Sequence, residues 1–212
     1  MVENNLKQGA EMSNITVTTK VINKDLISDE FCFVKINIKY PQCENKKIDD
    51  YIEKIVLSLE KFSVKRLLNS AIKKYTNEKD FIPYSLVVSY KTTLTKRNIF
   101  SFYFDIFVCR DKEEREIKRV PLNFDIQKSE LIFPLEKIKK GKILAALDTS
   151  VKLSSSKKRF FSDASKRARK YFKKTNALLT ESGIYITYDS GILAPHEAGP
   201  QNLLCFTHPI KE

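Results

Sequence analysis

The spacing of apolar residues changes period within the first third of the chain, and that change constrains the fold more than any other feature. From Phe31 to Tyr40, Cys32, Val34, Ile36, Ile38 and Tyr40 alternate with Phe33, Lys35, Asn37 and Lys39. From Asn45 onward, Ile48, Ile52, Ile55, Leu59 and Phe62 recur at steps of four and three, with Asp49, Asp50, Glu53, Lys54 and Lys61 between them. A period of two places side chains on alternate faces of a strand, whereas the longer period makes one stripe on a helix. The spacing therefore predicts a strand, closed by Pro41, which has no amide proton for a ladder. An amphipathic helix follows, continuing through Leu67, Leu68, Ala71 and Ile72 to about Tyr75, with a turn at Asn77 and Asp80.

Strand patterns then return at Tyr84–Leu94, Ile99–Arg110 and Glu116–Ile126, joined by short polar links, and an earlier one lies at Ile15–Asn23. In the middle run, Phe100, Phe102, Phe104, Ile106 and Val108 line one face while Tyr103 and Phe107 make the other apolar too, which predicts a central strand covered on both sides. Strands in series around one long helix predict an α+β fold: an antiparallel meander packed by that helix and by a second, basic helix toward the C-terminus. The expected organisation is a loose leader at 1–14 and a single domain at 15–212, or two packed subdomains divided near residue 80. With 42% hydrophobic residues, fourteen of them Phe, the chain can bury a core without disulfides or a metal.

The excess positive charge has an address. Lys137 to Lys174 carries fourteen Lys or Arg against Asp148 and Asp163, so this stretch holds the whole net charge of +12. Two helical patterns occupy it, Pro134–Leu147 and Lys157–Lys174, separated by a polar link at Lys152–Ser156. On the second helix Phe160, Phe161, Ala164, Ala168, Tyr171 and Phe172 fall within an arc of roughly 120°. Lys157, Lys158, Arg159, Lys166, Arg167, Arg169, Lys170 and Lys173 are the candidate binding residues, as a cationic ridge on the outer side. Such a ridge attracts phosphates or carboxylates. No helix-turn-helix, zinc finger or RNA-binding signature accompanies it, and its aromatics are expected on the core-facing side, away from any base to be stacked.

Chemistry-bearing motifs are few. Cys32, Cys43, Cys109 and Cys205 form no CxxC pair, which disfavours a zinc ribbon or redox motif and predicts reduced, mostly buried thiols. The five glycines make no phosphate-cradling loop, and no GxSxG elbow occurs. The histidines are His196 and His208. His196 adjoins Glu197, but neighbours on an extended chain point in opposite directions, and a metal would need further ligands. No metal and no cofactor is expected. The polar first residues lack the apolar core of a signal peptide, and no run approaches a membrane-spanning length, which predicts a soluble, cytoplasmic protein.

The C-terminal region ends in a strand pair, Leu178–Leu179 and Ile184–Tyr188 about a turn at Glu181–Gly183, and a last strand at Leu203–Thr207. The string LTESGIYITY from Leu179 to Tyr188, followed by ILAPHEAGP from Ile192 to Pro200, resembles the closing motif of a domain-of-unknown-function family. Its members read approximately LTEEGLVFYF and then YxIAPYAAG. Two more segments are similar: Lys39-Tyr40-Pro41 leading into the helix, and Leu122-Asn123-Phe124-Asp125-Ile126 through Leu131 to Ile138. The family includes the extracellular part of the lysozyme-sensing anti-sigma factor of Gram-positive bacteria and a module ahead of the catalytic domain of a peptidoglycan deacetylase. The chain departs from it in two places. Cys109–Arg115 stands where a Tyr-Thr-Gly-Gly-Ala-His-Gly turn is usual, and Ser190-Gly191 and His196 replace Tyr-type residues.

The resemblance implies an α+β fold and a role in binding, with Ala194, Pro195, His196, Ala198 and Gly199 as the family's loop. It is mostly an extracellular family, whereas this chain is expected to act inside the cell. Charge and resemblance together predict a non-catalytic binding or regulatory module for a protein or an acidic polymer. The alternative is a nucleic-acid-associated protein using the same ridge. A small cell-wall hydrolase would require His196 or His208 to line a pocket with a carboxylate cluster.

Overall fold

In the computed structural model, residues 15–28, 31–76, 81–110, 115–155 and 159–207 are described. The leader at 1–14, the turn at Asn77 and Asp80, the Lys157 and Lys158 pair and His208 lie outside them. Six strands form the larger sheet in sequence order: β1 (Thr18–Ser28), β2 (Phe31–Gln42), β3 (Tyr84–Lys96), β4 (Ile99–Cys109), β5 (Arg115–Asp125) and β6 (Glu130–Leu131). The sheet curls into a half-barrel and is mixed. β2 and β3 run parallel over Val34–Ile38 and Tyr84–Val88, which corrects the expected meander. The long helix itself is the reason. Leaving the end of β2 and running the length of the sheet, it returns the chain to the start of the next strand, a crossover that yields parallel neighbours.

Pro41 lies inside β2, not at its end, opposite Thr19 of the edge strand. It is past Ile38, the last residue of β2 paired with β3, so no ladder bond on that side is lost. The β3–β4 hairpin turns on Arg97 and Asn98, at φ 56° and 61°, the left-handed pair that matches the twist of a two-residue hairpin.

The helix is continuous from Lys46 to Tyr75: α1 (Lys46–Phe62), a π turn (Ser63–Leu68) and α2 (Asn69–Tyr75). Asn45 caps it, its Oδ1 accepting from the Ile48 amide at 3.3 Å while its Nδ2 donates to the Ile126 carbonyl at 3.0 Å. Ile48, Ile52 and Val56, then Leu67 and Ala71, are buried on the sheet. At about 100° per residue an uninterrupted α-helix would carry Ala71 about 140° round from Ile48. The wider π turn takes back part of that drift and returns Leu67 and Ala71 to the sheet. Phe62, expected on the buried stripe, is 46% exposed; at about 100° per residue it falls about 80° from the centre of Ile48, Ile52 and Val56, at the edge of the buried face.

The two faces of the central strands meet different partners. Phe100, Phe102 and Phe104 of β4, with Leu122 and Phe124 of β5, are buried under the helix. The opposite face carries Ser101 and Asn123, paired across the ladder, and docks the C-terminal unit. That unit consists of α3 (Lys140–Ser155), α4 (Ala164–Lys170) and a three-stranded sheet of β7 (Ala177–Thr180), β8 (Gly183–Tyr188) and β9 (Gln201–Thr207). Its core includes Leu135, Ile143, Leu147, Ala168, Ile186 and Leu203.

The seam between the units is polar and fully paired. Asn123 Nδ2 donates to the Ala177 carbonyl at 2.8 Å, and its Oδ1 accepts from the Leu179 amide at 2.8 Å and the Ser101 hydroxyl at 2.6 Å. A bulge between Thr92 and Leu94 frees Thr93, whose hydroxyl donates to the Leu179 carbonyl at 2.7 Å. Nearby, Arg119 grips Asp105 through two bonds of 2.7 and 2.6 Å and lies 4.0 Å over the Tyr103 ring. Its backbone amide donates to Asp189 at 2.9 Å, and its Nη1 donates to Asn202 at 3.2 Å. One arginine thus ties β4 and β5 to the C-terminal sheet.

Candidate functional site

The basic stretch folds differently from its periodicity. The first helix runs over Lys140–Ser155, later than Pro134–Leu147, with turns over 134–137. Burial of Ser150 and Val151 against the C-terminal core draws the helix through most of the segment that reads as a polar link. The second helix is seven residues, Ala164–Lys170, not the expected Lys157–Lys174. Before it, the Phe161 amide bonds the Leu193 carbonyl at 2.9 Å, so the chain is pinned to the C-terminal loop and does not coil. After it, Lys173 is extended at φ −132°, and Lys174 Nζ donates to the carbonyls of Glu136 and Ile138 at 2.9 and 3.1 Å. Long-range bonds at both ends override the local helical period.

The ridge survives as a surface built from two helices, α3 and the short α4. α4 packs on α3 through Ala164 and Ala168, and Arg169 reaches across to Asp148. This fork, Nε to Oδ1 at 2.9 Å and Nη2 to Oδ2, holds the Asp148 carboxyl below its ordinary range by hydrogen bonding and by charge. Arg167 is engaged too: its Nε donates to Asp163 at 2.8 Å and its guanidinium lies 4.4 Å over the Phe161 ring. Both acids of the stretch are therefore taken by arginines. Arg159, Lys166, Lys170 and Lys173 are exposed, as are Lys140, Lys142 and Lys152 on α3. Lys170 Nζ sits 5.2 Å from the ring of Tyr171, which is 42% exposed. An exposed aromatic on the ridge corrects the expectation that all its aromatics face the core. Tyr171 caps the end of the helix, its amide bonding the Arg167 carbonyl at 2.9 Å.

The sequence had not singled out the α3 lysines as part of the site. Their signal was only their membership of the basic stretch, because the surface depends on how the two helices pack.

The motif loop is a structural corner. Ala194 is buried, Pro195 is exposed, and His196–Ala198 form a 3-10 turn closed by Gly199 at φ 67°. Gln201 Nε2 donates to the carbonyls of Ala198 and Gly199 at 2.8 and 3.0 Å. Ser190 bonds the Ile117 carbonyl through both its amide and its hydroxyl at 3.1 Å, anchoring the loop on β5. His196 is exposed, with its Nδ1 3.4 Å from Ser190 Oγ, and its ring packs on Gly191. The loop joins the basic stretch just before Ala194, where the Leu193 carbonyl accepts the Phe161 amide. Among the described residues, no group of three or more His, Cys, Asp or Glu is placed to hold a metal.

These features define an α+β module in which a long helix covers one face of a curled mixed sheet and a small basic unit docks on the other. Solved structures share this fold. A member of the DUF3298 family from Bacteroides fragilis NCTC 9343 matches with a TM-score of 0.61 at 14% identity over 91% of each chain. A DUF3298 family protein from Pseudomonas aeruginosa PAO1 matches with a TM-score of 0.60 at 13% identity, again over 91% of each chain. No family model matches the sequence, and no curated protein matches it. No helix among the described residues is long and apolar enough to cross a membrane.

Proposed function

We propose that the chain is a non-catalytic binding or regulatory module that engages an acidic protein surface or acidic polymer through the face formed by α3 and α4. One observation carries this reading. Asp148 and Asp163 are spent on Arg169 and Arg167, so the neighbouring Lys166, Lys170 and Lys173 face solvent without an ion pair among the described residues. Two arginines hold the platform, and the lysines supply the field. The motif resemblance supports a binding role, since in the deacetylase the resembling module stands apart from the catalytic domain.

The test compares wild type with Lys166→Glu, Lys170→Glu and Lys173→Glu combined, which leaves both arginine pairs intact. Retention on immobilised polyglutamate across a salt series is the measurement. Binding near physiological ionic strength that disappears in the triple variant supports the reading, and equal retention of the two proteins overturns it.

Tyr171 favours a second reading, single-stranded nucleic acid, because an exposed ring beside a lysine suits base stacking. Tyr171→Ala then weakens oligonucleotide binding while leaving polyglutamate binding unchanged, and wild-type affinity falls steeply with salt.

A further inference from the structure

On the face of the large sheet away from the basic unit, the helix does not cover the sheet completely. Moving toward the start of β5, the side chains facing the helix run Phe124, Leu122, Val120, Lys118 and Glu116, from buried aromatic to charged. Beside them Ile106 of β4 remains only half-buried, although it points to the helix side of a central strand. The result is a cleft of about 670 Å³ between the helix and β3–β5. That volume is within the range of small-molecule sites.

The lining divides by chemistry. Ile55, Leu59, Phe62, Leu86, Ile106 and Val108 form an apolar interior. The rim carries Lys54 and Arg66 from the helix and Arg110 and Lys118 from the sheet, against one acid, Glu116. Glu116 is already engaged, 2.7 Å from Lys118 and 3.8 Å from Arg110, and the Lys118 hydrogen bond holds its carboxyl below the ordinary range. Lys54 and Arg66 make no ion pair among the described residues, and Arg66 rests 5.0 Å over the Phe62 ring within the π turn. Residues 111–114, between β4 and β5, lie outside the described residues. A π turn at a cleft is itself a feature that recurs at functional sites.

We infer that this cleft binds a single-chain acyl anion, with the hydrocarbon tail on the apolar interior and the carboxylate at the cationic rim. An apolar ligand without a charge would leave the rim unused, and a cationic amphiphile would meet like charges. The site is separate from the α3–α4 surface, so it stands whether or not the polyanion reading does.

The test uses the intrinsically fluorescent fatty acid cis-parinarate with the full chain, followed by displacement with dodecanoate, dodecanol or dodecyltrimethylammonium. The expected result is saturable binding, with dodecanoate displacing the probe at a concentration at least about tenfold below that of either other amphiphile, in keeping with the contribution of one charge-assisted contact. Lys54→Glu combined with Arg66→Glu raises the dodecanoate concentration required by about tenfold, and Ile55→Trp, which fills the interior, abolishes probe binding. Circular dichroism confirms that each variant is folded, and the Trp variant tests the tail site without altering charge. No probe binding by wild type, equal displacement by dodecanol, or an unchanged charge-reversal variant overturns the inference. So does displacement by an acidic amphipathic peptide or phosphatidylglycerol vesicles where dodecanoate fails, which would assign the cleft to a protein helix or a membrane surface.

Discussion

At the scale of single residues, burial decides the reactivity of the thiols. Cys43 and Cys205 are buried, and desolvation pushes each up to about 11 from 9.0. At pH 8 only about 0.1% of such a thiol is thiolate, the form that reacts. Iodoacetamide labelling of the folded protein followed by peptide mass mapping therefore shows Cys43 and Cys205 protected, and both label after denaturation. The same shift has a consequence for stability. In the unfolded chain these thiols ionise above pH 9.0, while the fold keeps them protonated to about pH 11, so their contribution is intact below pH 9 and declines between these values. Denaturant midpoints measured from pH 8 to 11 fall, and replacing both cysteines with Ala lessens the fall. Gly191 provides a different residue-level test. It sits at φ 76°, where a side chain is strained, and an added Cβ would meet the His196 ring at 2.3 Å. His196 is exposed and can swing away, so backbone strain dominates, and Gly191→Ala costs about 1 kcal/mol in chemical denaturation.

At the scale of elements, the π turn decides which side of the long helix is buried. Period alone places Phe62 in the apolar stripe, yet Phe62 is 46% exposed and Leu67 is 1% exposed. Leu67→Ala costs about 3 kcal/mol, as expected for a filled core position. Phe62→Ala costs less than about 1 kcal/mol, which thermal or denaturant melts of the two variants distinguish. The long helix and the alternation in β2 were legible because they are local: one residue's apolar character implies its neighbour's three or two positions away. The basic helix was less legible. Its bounds were set by the Phe161 bond to Leu193 and by Lys174 reaching the carbonyls of Glu136 and Ile138, partners that no window of sequence contains. The cleft was not legible at all, because Lys54, Arg66 and Lys118 come from separate segments and become neighbours only when the helix lies across the sheet.

At the scale of the whole molecule, two apolar cores are joined through a seam that is polar and buried. Ser101 is 0% and Asn123 3% exposed, and the Asn123 amide alone satisfies Ala177 and Leu179 of β7. Removing it leaves a buried amide and a buried carbonyl unpaired, each at about 1–3 kcal/mol. Asn123→Ala therefore lowers stability by about 3 kcal/mol. It also loosens the docking of the C-terminal unit, so that unfolding curves followed by far-ultraviolet circular dichroism and by tyrosine fluorescence coincide for wild type and separate for the variant. Asn123→Leu, which has the same number of side-chain heavy atoms but no hydrogen-bonding group, behaves in the same way, because the lost function is hydrogen bonding.

The sequence by itself determined the α+β class, the order of strands around one long helix, the buried face of β2 and the address of the positive charge. Each follows from periodicity or composition, which are properties of contiguous residues. Only the tertiary structure decided that β2 and β3 run parallel, that a second sheet of three strands closes the molecule, and that the cationic ridge is shared by two helices. It also decided that Asp148 and Asp163 neutralise arginines and not lysines. These outcomes depend on which groups distant in the chain find hydrogen-bond and packing partners, and the requirement to satisfy every buried polar group selects among arrangements that the local pattern leaves equivalent.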